Sequence, residues 1–279
     1  MLMLKKSNLQ LIETTTSSKG NQIKYRYGSH WIKQNTLGYE ALAEVLCSRL
    51  AQALGVAHVE YIPAAVVDEY EYKVPACISK DFVGDFCEVS LGRLVEARFG
   101  REFDLAKINS LSERVAVILE VLCNKSPYLN NERILQYLNL IVSFDALIFN
   151  EDRHLHNILF LQTSCGLIDA PIFDNGAGLF SDTQIDYPLD LPLNICVRKV
   201  KAKPFSSSFK KQVDYFNDIC GEPFKNVTEV FICISDLFEY FSTSHIDRAV
   251  SALRCGLQTK AIKLITDKDS TMITNIFSK

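Results

Sequence analysis

Four short stretches near the start of the chain have the pattern of β-strands, and in two of them apolar and polar residues alternate. Alternation over 23–27 and 30–33, on either side of Gly28, predicts a β-hairpin. Two further strand-like runs cover 58–67 and 72–78. These stretches predict a small, mostly antiparallel sheet.

One helix is predicted between the hairpin and the later strands. Over 39–54 apolar residues recur at helical spacing, and Gly55 provides the stop at the C-terminus. Glu40 and Glu44 lie one turn apart on this helix, and Lys33 ends the preceding strand. Either glutamate could reach back to the lysine, while solvated surface charges are the plainer interpretation.

The remainder of the chain is mainly helical in pattern. Residues before 22 are polar and rich in hydroxyl groups, which predicts a loop. The strand-like pattern stops at 79–84, which is the predicted hinge between two lobes. We therefore predict an α+β fold of two lobes, an N-lobe at 1–80 and a helical C-lobe at 81–279. Its helices are predicted at 89–98, 111–123, 132–149, 205–219, 227–240 and 246–266, with a hairpin of 158–161 and 167–168.

Polar residues interrupt an apolar run at 150–157. Asp152 and Asn157 lie five apart in this segment, and Asp174 follows after the short hairpin. Phosphoryl transfer needs a residue that positions or deprotonates the attacking hydroxyl and oxygen ligands for Mg²⁺. One carboxylate and one amide suffice as protein ligands, because Mg²⁺ keeps waters and phosphates as its others. The plainer alternative is a surface turn, a strand cap and the start of a loop.

Composition limits the class of protein. The 279 residues are 48% hydrophobic and 23% charged, as in ordinary globular proteins, and the net charge of -3 argues against a dedicated nucleic-acid or anionic-membrane surface. A basic run at 198–211 is predicted to be a solvated loop, with contact to a substrate or polyanion as the alternative. No apolar stretch is long enough to span a bilayer.

The cysteines and the start of the chain bear on location. Nine cysteines occur without any C-x-x-C pair, which disfavours zinc and disulfide frameworks. Most lie in apolar stretches, where a thiol behaves as a small buried hydrophobe and implies a reducing compartment. With no signal peptide recognised, the expected location is the cytoplasm.

Three motifs resemble the HipA-like atypical Ser/Thr kinases, whose core is related to phosphatidylinositol kinases. Residues 147–157 resemble that family's L-I-x-N-x-D-R-H-x-x-N catalytic loop, and 173–176 (Phe-Asp-Asn-Gly) its metal-binding Asp motif. Residues 44–55 resemble its helix E-x-x-C-x-x-L-A-x-x-x-G, which favours Glu44 over Glu40 as the partner of Lys33. In length and layout the chain is most similar to the compact CtkA-type kinases of this group.

Nucleotide contacts are implied by the same resemblance. Residues 17–24 resemble the family's S-x-x-G-x-Q-x-K phosphate loop, in which the leading serine can be autophosphorylated, and 80–82 fall at the hinge whose backbone contacts adenine. The resemblance also implies that Arg153 and His154 brace the catalytic loop, with His154 a further candidate for cofactor contact, and His156 is taken as structural. The implied cofactor-binding residues are Ser17, Ser18, Lys19, Gly20, Asn21, Lys33, Lys80, Asp81, Phe82 and His154.

The resemblance implies an ATP- and Mg²⁺-dependent Ser/Thr protein kinase that autophosphorylates in its phosphate loop. Lys33 would hold the α- and β-phosphates, Glu44 would orient it, and Asp152 would be the base. Asn157 and Asp174 would hold Mg²⁺. The hypothesis requires Lys33 to lie close to Asp174.

Its implied partners are a protein substrate with a Ser or Thr acceptor and a regulatory, antitoxin-like protein, without direct contact to nucleic acid. The implied location is the bacterial cytoplasm, with export as an effector as the alternative. Two alternatives stay open. One is a lipid or small-molecule kinase, since the core motifs do not encode the acceptor. The other is a catalytically silent nucleotide-binding module of a toxin–antitoxin-like system.

Overall fold

The chain divides into two compact units. The computed structural model describes residues 1–12, 22–123 and 125–269. One unit comprises Met1–Asp81, Asp174–Lys199 and Asn226–Lys279, and the other Phe82–Phe173 and Val200–Lys225. The first division of the chain thus falls after Asp81, and two later segments that the sequence assigns to the C-lobe group with the N-terminal residues. Compact units are not the same as lobes, so the lobe division at 80/81 stays a prediction.

The described residues form strands and α-helices, numbered in chain order. They are β1 (Met3–Lys5), β2 (Gln10–Ile12), β3 (Ile23–Tyr27), β4 (His30–Gln34), α1 (Glu40–Ala53), β5 (Ile62–Val67), β6 (Lys73–Lys80), β7 (Cys87–Ser90), α2 (Leu91–Phe99), α3 (Leu111–Leu122), α4 (Asn131–Ile148), β8 (Leu159–Thr163), β9 (Gly166–Asp169), α5 (Leu193–Lys199), α6 (Phe209–Cys220), β10 (Glu229–Ile232), α7 (Thr243–Gln258) and β11 (Lys263–Thr266).

A six-stranded sheet dominates the first unit. Its strand order is β1-β5-β6-β4-β3-β2, with β1 parallel to β5 and the other pairs antiparallel. The hairpin predicted around Gly28 is confirmed, and Gly28 has the positive φ of 56° that the turn needs. Tyr25 and Ile32 face each other across this hairpin and are both buried in the core of the sheet. The alternating pattern therefore placed both strands correctly, because one face of the sheet is buried.

Helix α1 packs against β6 and β10 within the same unit. The helix predicted over 39–54 is confirmed at Glu40–Ala53, and Gly55 follows it with a φ of 68°. Most residues of α1 are buried, including the charged Glu40 and Glu44. Two buried carboxylates on one helix need partners, since burying an unpaired charge is costly.

Helices and a three-stranded sheet make up the second unit. Helices α4 and α6 pack together, and the sheet has the order β7-β8-β9 with antiparallel pairs. The hairpin predicted at 158–161 and 167–168 is confirmed as β8 and β9. The helix predicted from 89 begins instead at Leu91, because Val89 pairs with Phe160 in the sheet.

Several local predictions near the ends of the chain are wrong. Met3–Lys5 and Gln10–Ile12 are strands within the segment predicted as a loop, whereas 13–21 lie outside the described residues. The helix predicted over 227–240 contains the strand β10, which pairs in parallel with β11, and β11 in turn occupies the end of the helix predicted over 246–266. Helix α5 was not predicted.

Two other expectations can be compared with the structure. Only three of the nine cysteines are buried, Cys47, Cys77 and Cys196, so the expectation that most are buried is wrong. The predicted α+β class is confirmed by the mixture of sheet and helix. Within the described ranges, no helix combines the length and apolarity needed to cross a membrane.

Candidate active site

A buried lysine lies between two carboxylates in the first unit. Lys33, on β4, is 7% exposed, and its Nζ donates to Oε1 of Glu44 and to Oδ1 of Asp174, the latter at 2.5 Å. The ammonium also lies 5.0 Å from the ring centroid of Tyr61. The structure thus brings Lys33 and Asp174, 141 residues apart in sequence, into direct contact, as the kinase hypothesis requires.

Glu44, rather than Glu40, contacts the lysine. Its other oxygen, Oε2, accepts the N–H of Asn175 at 2.8 Å, so the same carboxylate holds both the lysine and the turn after Asp174. Glu40 instead accepts the backbone N–H groups of 36–38 at the N-terminus of α1, at 2.6 to 3.3 Å. Those N–H groups lack helical partners, and Glu40 satisfies them.

The electrostatics of this group are those of a coupled, buried cluster. Burial lowers the pKa of Lys33, but the carboxylates of Asp174 and Glu44 outweigh it and hold that pKa well above its ordinary value. Burial raises the pKa of Glu44, and the Lys33 ammonium offsets part of that effect. With each group in its ordinary charge state, the three side chains carry one positive and two negative charges. The cluster therefore suits a further cation.

A tight turn presents Asp174. Its φ of 56° lies in the left-handed region, and its side chain is 25% exposed, far more than that of Glu44. Gly176 comes so close to Gln22 that an added Cβ would lie 2.9 Å from the amide oxygen of that glutamine. Gln22 is buried and directly follows 13–21. The turn therefore contacts the end of the predicted phosphate loop.

The segment with Asp152 and Asn157 lies in the second unit, after α4. Helix α4 ends at Ile148, and Phe149 follows it with a φ of 53°. The side chain of Asn150 accepts a hydrogen bond from the N–H of Asp152 at 3.0 Å. The backbone carbonyl of Asp152 accepts Nδ2 of Asn157 at 2.9 Å. That bond engages the amide nitrogen of Asn157, so Oδ1 is the atom that the predicted metal ligand would offer.

A buried ion pair holds this segment in place, and its acidic member was not recognised from the sequence. Arg153 is 1% exposed and Asp145 0%, and the guanidinium donates to both carboxylate oxygens at 3.0 to 3.3 Å. Arg153 also donates to the backbone carbonyls of Asn157 (3.1 Å) and Phe173 (2.8 Å). A carboxylate within the mostly apolar second half of α4 was the signal that could have identified Asp145.

Lys203 also contacts Asp152, which local sequence pattern did not predict. Its Nζ lies 3.1 Å from Oδ1 of Asp152, whose side chain is 7% exposed. The basic run at 198–211, predicted as a solvated loop, is therefore not one: Arg198 and Lys199 end α5, and Lys203 contacts a buried carboxylate. Nothing distinguishes Lys203 from its basic neighbours in the sequence alone.

The histidines of the segment take different positions. His154 has Nε2 at 3.9 Å from Oδ2 of Asp152. His156 lies 3.2 Å from both Ser90 Oγ and Glu96, and an added Cβ on Gly92 would lie 2.5 Å from its ring. His156 is therefore a packing residue beside α2, whereas a cofactor contact of His154 stays a prediction.

The predicted hinge and phosphate loop are only partly described. Asp81 accepts Nη2 of Arg26 at 2.6 Å, and its N–H donates to the carbonyl of Ser29 at 2.8 Å. That N–H is already used, so an adenine contact would fall to other backbone groups of Lys80, Asp81 and Phe82, and it stays a prediction. The predicted phosphate-loop residues Ser17, Ser18, Lys19, Gly20 and Asn21 all lie outside the described residues.

The metal site was predicted from one carboxylate and one amide. Residues 1–12, 22–123 and 125–269 contain no group of three or more His, Cys, Asp or Glu side chains that could hold a metal ion. A Mg²⁺ site that relies on nucleotide phosphates needs no such group. The assignment of Asp174 and Asn157 as ligands stays a prediction.

The mixed α+β fold of this chain is kinase-like. Among solved structures, the proinflammatory kinase CtkA from Helicobacter pylori aligns with a TM-score of 0.60 and 15% identity, over 91% of this chain and 94% of that one. This chain therefore has the fold of that kinase, and the resemblance to compact CtkA-type kinases is confirmed for the fold.

A second solved structure also aligns with most of this chain. HipA of Shewanella oneidensis MR-1, from a complex with HipB and operator DNA, aligns with a TM-score of 0.47 and 13% identity, over 96% of this chain. This chain spans 60% of that HipA chain. A scan against protein-family models and a search of curated proteins each found no significant match.

Proposed function

We propose that this protein is an ATP- and Mg²⁺-dependent kinase that transfers the γ-phosphoryl group to a Ser or Thr hydroxyl. The observation that carries the proposal is the buried ammonium of Lys33 between Glu44 and Asp174. A lysine oriented by a glutamate and placed beside a metal-binding aspartate is the arrangement that kinases use on nucleotide phosphates. The fold shared with a solved kinase supports the same assignment.

Lys33 has a side chain suited to bind the nucleotide phosphates, and Asp174 one suited to bind Mg²⁺. Lys33 stays protonated because two carboxylates face it, so it can bind phosphate oxygens as a fixed point charge. Asp174 is a partly exposed hard oxygen donor within a cluster of net negative charge, which fits Mg²⁺. When bound, Mg²⁺ would neutralise charge that develops on the phosphate oxygens.

Asp152 has a side chain suited to accept the proton of the acceptor hydroxyl, and Asn157 one suited to be the second protein ligand of Mg²⁺. Asn157 donates its amide N–H to the backbone of Asp152, and its oxygen suits a hard cation. Asp152 would accept the proton of the acceptor hydroxyl as the hydroxyl oxygen bonds to the γ-phosphorus. The bond from that phosphorus to the bridging oxygen breaks, ADP leaves, and the proton passes from Asp152 to solvent.

The test is phosphate transfer by purified protein. We expect wild-type protein incubated with Mg²⁺ and ATP to gain phosphate by intact mass, and EDTA to prevent it. Asp152→Asn and Asp174→Asn should each abolish the gain, whereas Asp190→Asn, at an exposed carboxylate, should not. Peptide mapping then tests whether Ser17, from the resembling phosphate loop, is the acceptor.

Three results would contradict the proposal. Transfer by Asp152→Asn at the wild-type rate would exclude Asp152 as the base. Labelled phosphate that appears only in added lipids, separated by thin-layer chromatography, would indicate a lipid kinase. Thermal stabilisation by ATP without any phosphate turnover would indicate a silent nucleotide-binding module.

A further inference from the structure

Lys203 differs from Lys210 of the same basic run because it contacts a buried carboxylate. Its ammonium contacts the buried carboxylate of Asp152, yet its own side chain is 43% exposed. In contrast, Lys210 pairs with Asp214 on the surface of α6, where both side chains are mostly exposed. A pair with one buried and one exposed member places a cation at the boundary between Asp152 and solvent.

The backbone around Lys203 is held by buried groups. Gln212, which is 0% exposed, donates Nε2 to the carbonyl of Lys203 at 3.3 Å. Arg114 donates Nη1 to the carbonyl of Phe205 at 2.7 Å, and the buried Phe205 ring packs edge-on against Phe216. The backbone is thus held at Lys203 itself and two residues after it, so the fold fixes the point from which the lysine side chain extends.

The donors of Lys203 outnumber its contacts to Asp152. A lysine ammonium has three N–H donors, and the bond to Oδ1 of Asp152 uses one. The partly exposed ammonium can therefore keep this bond and donate to a further anion. A purely stabilising role is the plainer interpretation, and it predicts no change in the preference between two nucleotides.

We propose that Lys203 contacts the transferring γ-phosphoryl group in the kinase reaction. This inference rests on the proposed function and adds a residue that the sequence motifs do not contain. Asp152 takes the hydroxyl proton as the oxygen–phosphorus bond forms, and the bond to the bridging oxygen of ADP breaks. Lys203 stabilises the negative charge on the non-bridging oxygens of the transferring group while it keeps Asp152 oriented.

The experiment compares Lys203→Met, Lys203→Arg and Lys201→Met. Methionine keeps most of the apolar stem without the charge, arginine keeps the charge, and Lys201 is an exposed lysine two residues earlier in the same run. The rate of phosphate transfer is measured with Mg-ATP, with Asp152→Asn as the inactive reference. Affinities for Mg-ADP and for the non-hydrolysable analogue Mg-AMP-PNP are measured for each folded variant.

Lys203→Met is expected to lower the transfer rate by about 10²-fold, the usual cost of losing one donor to transition-state charge. Its affinity for Mg-ADP should match that of the wild type, whereas the preference of the wild type for Mg-AMP-PNP over Mg-ADP should fall. Lys203→Arg should recover part of both losses, and Lys201→Met should show neither. A role in stability alone would not move the preference between the two nucleotides.

Each contrary result has a separate meaning. If wild-type protein transfers phosphate and Lys203→Met does so equally well, the inference about Lys203 is overturned while the proposed function stands. If Lys203→Met weakens binding of both nucleotides equally, the lysine is structural and the inference is again overturned. If wild-type protein transfers no phosphate, the proposed function fails and the inference falls with it.

Discussion

The buried pair of Arg153 and Asp145 makes the sharpest prediction about stability. Both side chains are almost completely buried, and the arginine also holds the backbone carbonyls of Asn157 and Phe173. Asp145→Asn keeps the size and shape of the side chain but leaves the guanidinium of Arg153 buried without its counter-charge. Burial raises the pKa of Asp145, and Arg153 offsets only part of that effect.

The expected cost is large because the surviving charge stays in a low-dielectric interior. Removing one member of a buried ion pair costs about 3–5 kcal/mol, whereas removing one from an exposed pair costs about 0–1 kcal/mol. For a chain of this size, about 1 kcal/mol shifts the Tm by about 2–4 °C. Asp145→Asn should therefore lower the Tm by roughly 6 °C or more.

The chain contains a matched control for the assay. Arg133 and Asp169 form an ion pair at 2.8 Å in which the arginine is 54% exposed, so Asp169→Asn should shift the Tm by less than about 4 °C. Thermal unfolding is followed by far-UV circular dichroism for both variants. The double variant Asp145→Leu/Arg153→Met should cost less than the sum of its single substitutions, because no charge is left unpaired. Equal Tm shifts for Asp145→Asn and Asp169→Asn would refute this reasoning.

Three further predictions concern single residues. Glu44→Gln should lower phosphate transfer by at least about tenfold, because Lys33 loses one orienting carboxylate, whereas Glu40→Gln one turn earlier should keep near wild-type transfer in the same assay. Gly38→Ala should lower the free energy of unfolding in urea by about 1–3 kcal/mol, because its Cβ would lie 2.1 Å from the carbonyl oxygen of Ser181; an unchanged midpoint would contradict this. Burial opposes ionisation of Asp267, but hydrogen bonds to Ser235 and its neighbours lower the pKa of this carboxyl to about 2. The lowered pKa contributes stability above the unfolded pKa of about 4, and that contribution is lost as the pH falls toward 2. Asp267→Asn should therefore lower the free energy of unfolding by about 1 kcal/mol at pH 6 and by less at pH 3. The same loss at both pH values would exclude the mechanism.

Local periodicity predicted the elements whose hydrogen bonds and burial are set by nearby residues. The hairpin β3–β4 pairs residues that are close in sequence, and α1 carries apolar residues at helical spacing up to Gly55. The prediction for the β10 segment was wrong because its partner strand, β11, lies more than thirty residues later in the chain. In the structure Val230 and Ile232 are buried and Phe231 is exposed, which is the period of a strand. All three residues are apolar, so the sequence shows no polar–apolar alternation at this place.

Site prediction depended on motifs rather than on periodicity. The catalytic-loop and metal-motif residues stood out because polar groups interrupt apolar runs, and the helix motif selected Glu44 over Glu40. Lys203 could not be found in this way, because its contact with Asp152 spans 51 residues and its neighbours in sequence are also basic. A contact set by tertiary packing leaves no local pattern when the residues around it have the same charge.

The charge of the Lys33 cluster argues for a chemical rather than a stabilising role. A buried ion pair rarely stabilises a fold more than apolar residues of the same volume would, and a second carboxylate on one lysine adds desolvation without a matching cation. Asp174 nevertheless lies against Lys33, in a left-handed turn and partly open to solvent. A stable fold needs none of these three features, whereas binding Mg²⁺ and phosphate next to a lysine uses all of them. Replacing Asp174 by Asn should therefore abolish phosphate transfer without lowering the Tm, because Lys33 keeps the carboxylate of Glu44 as its counter-charge.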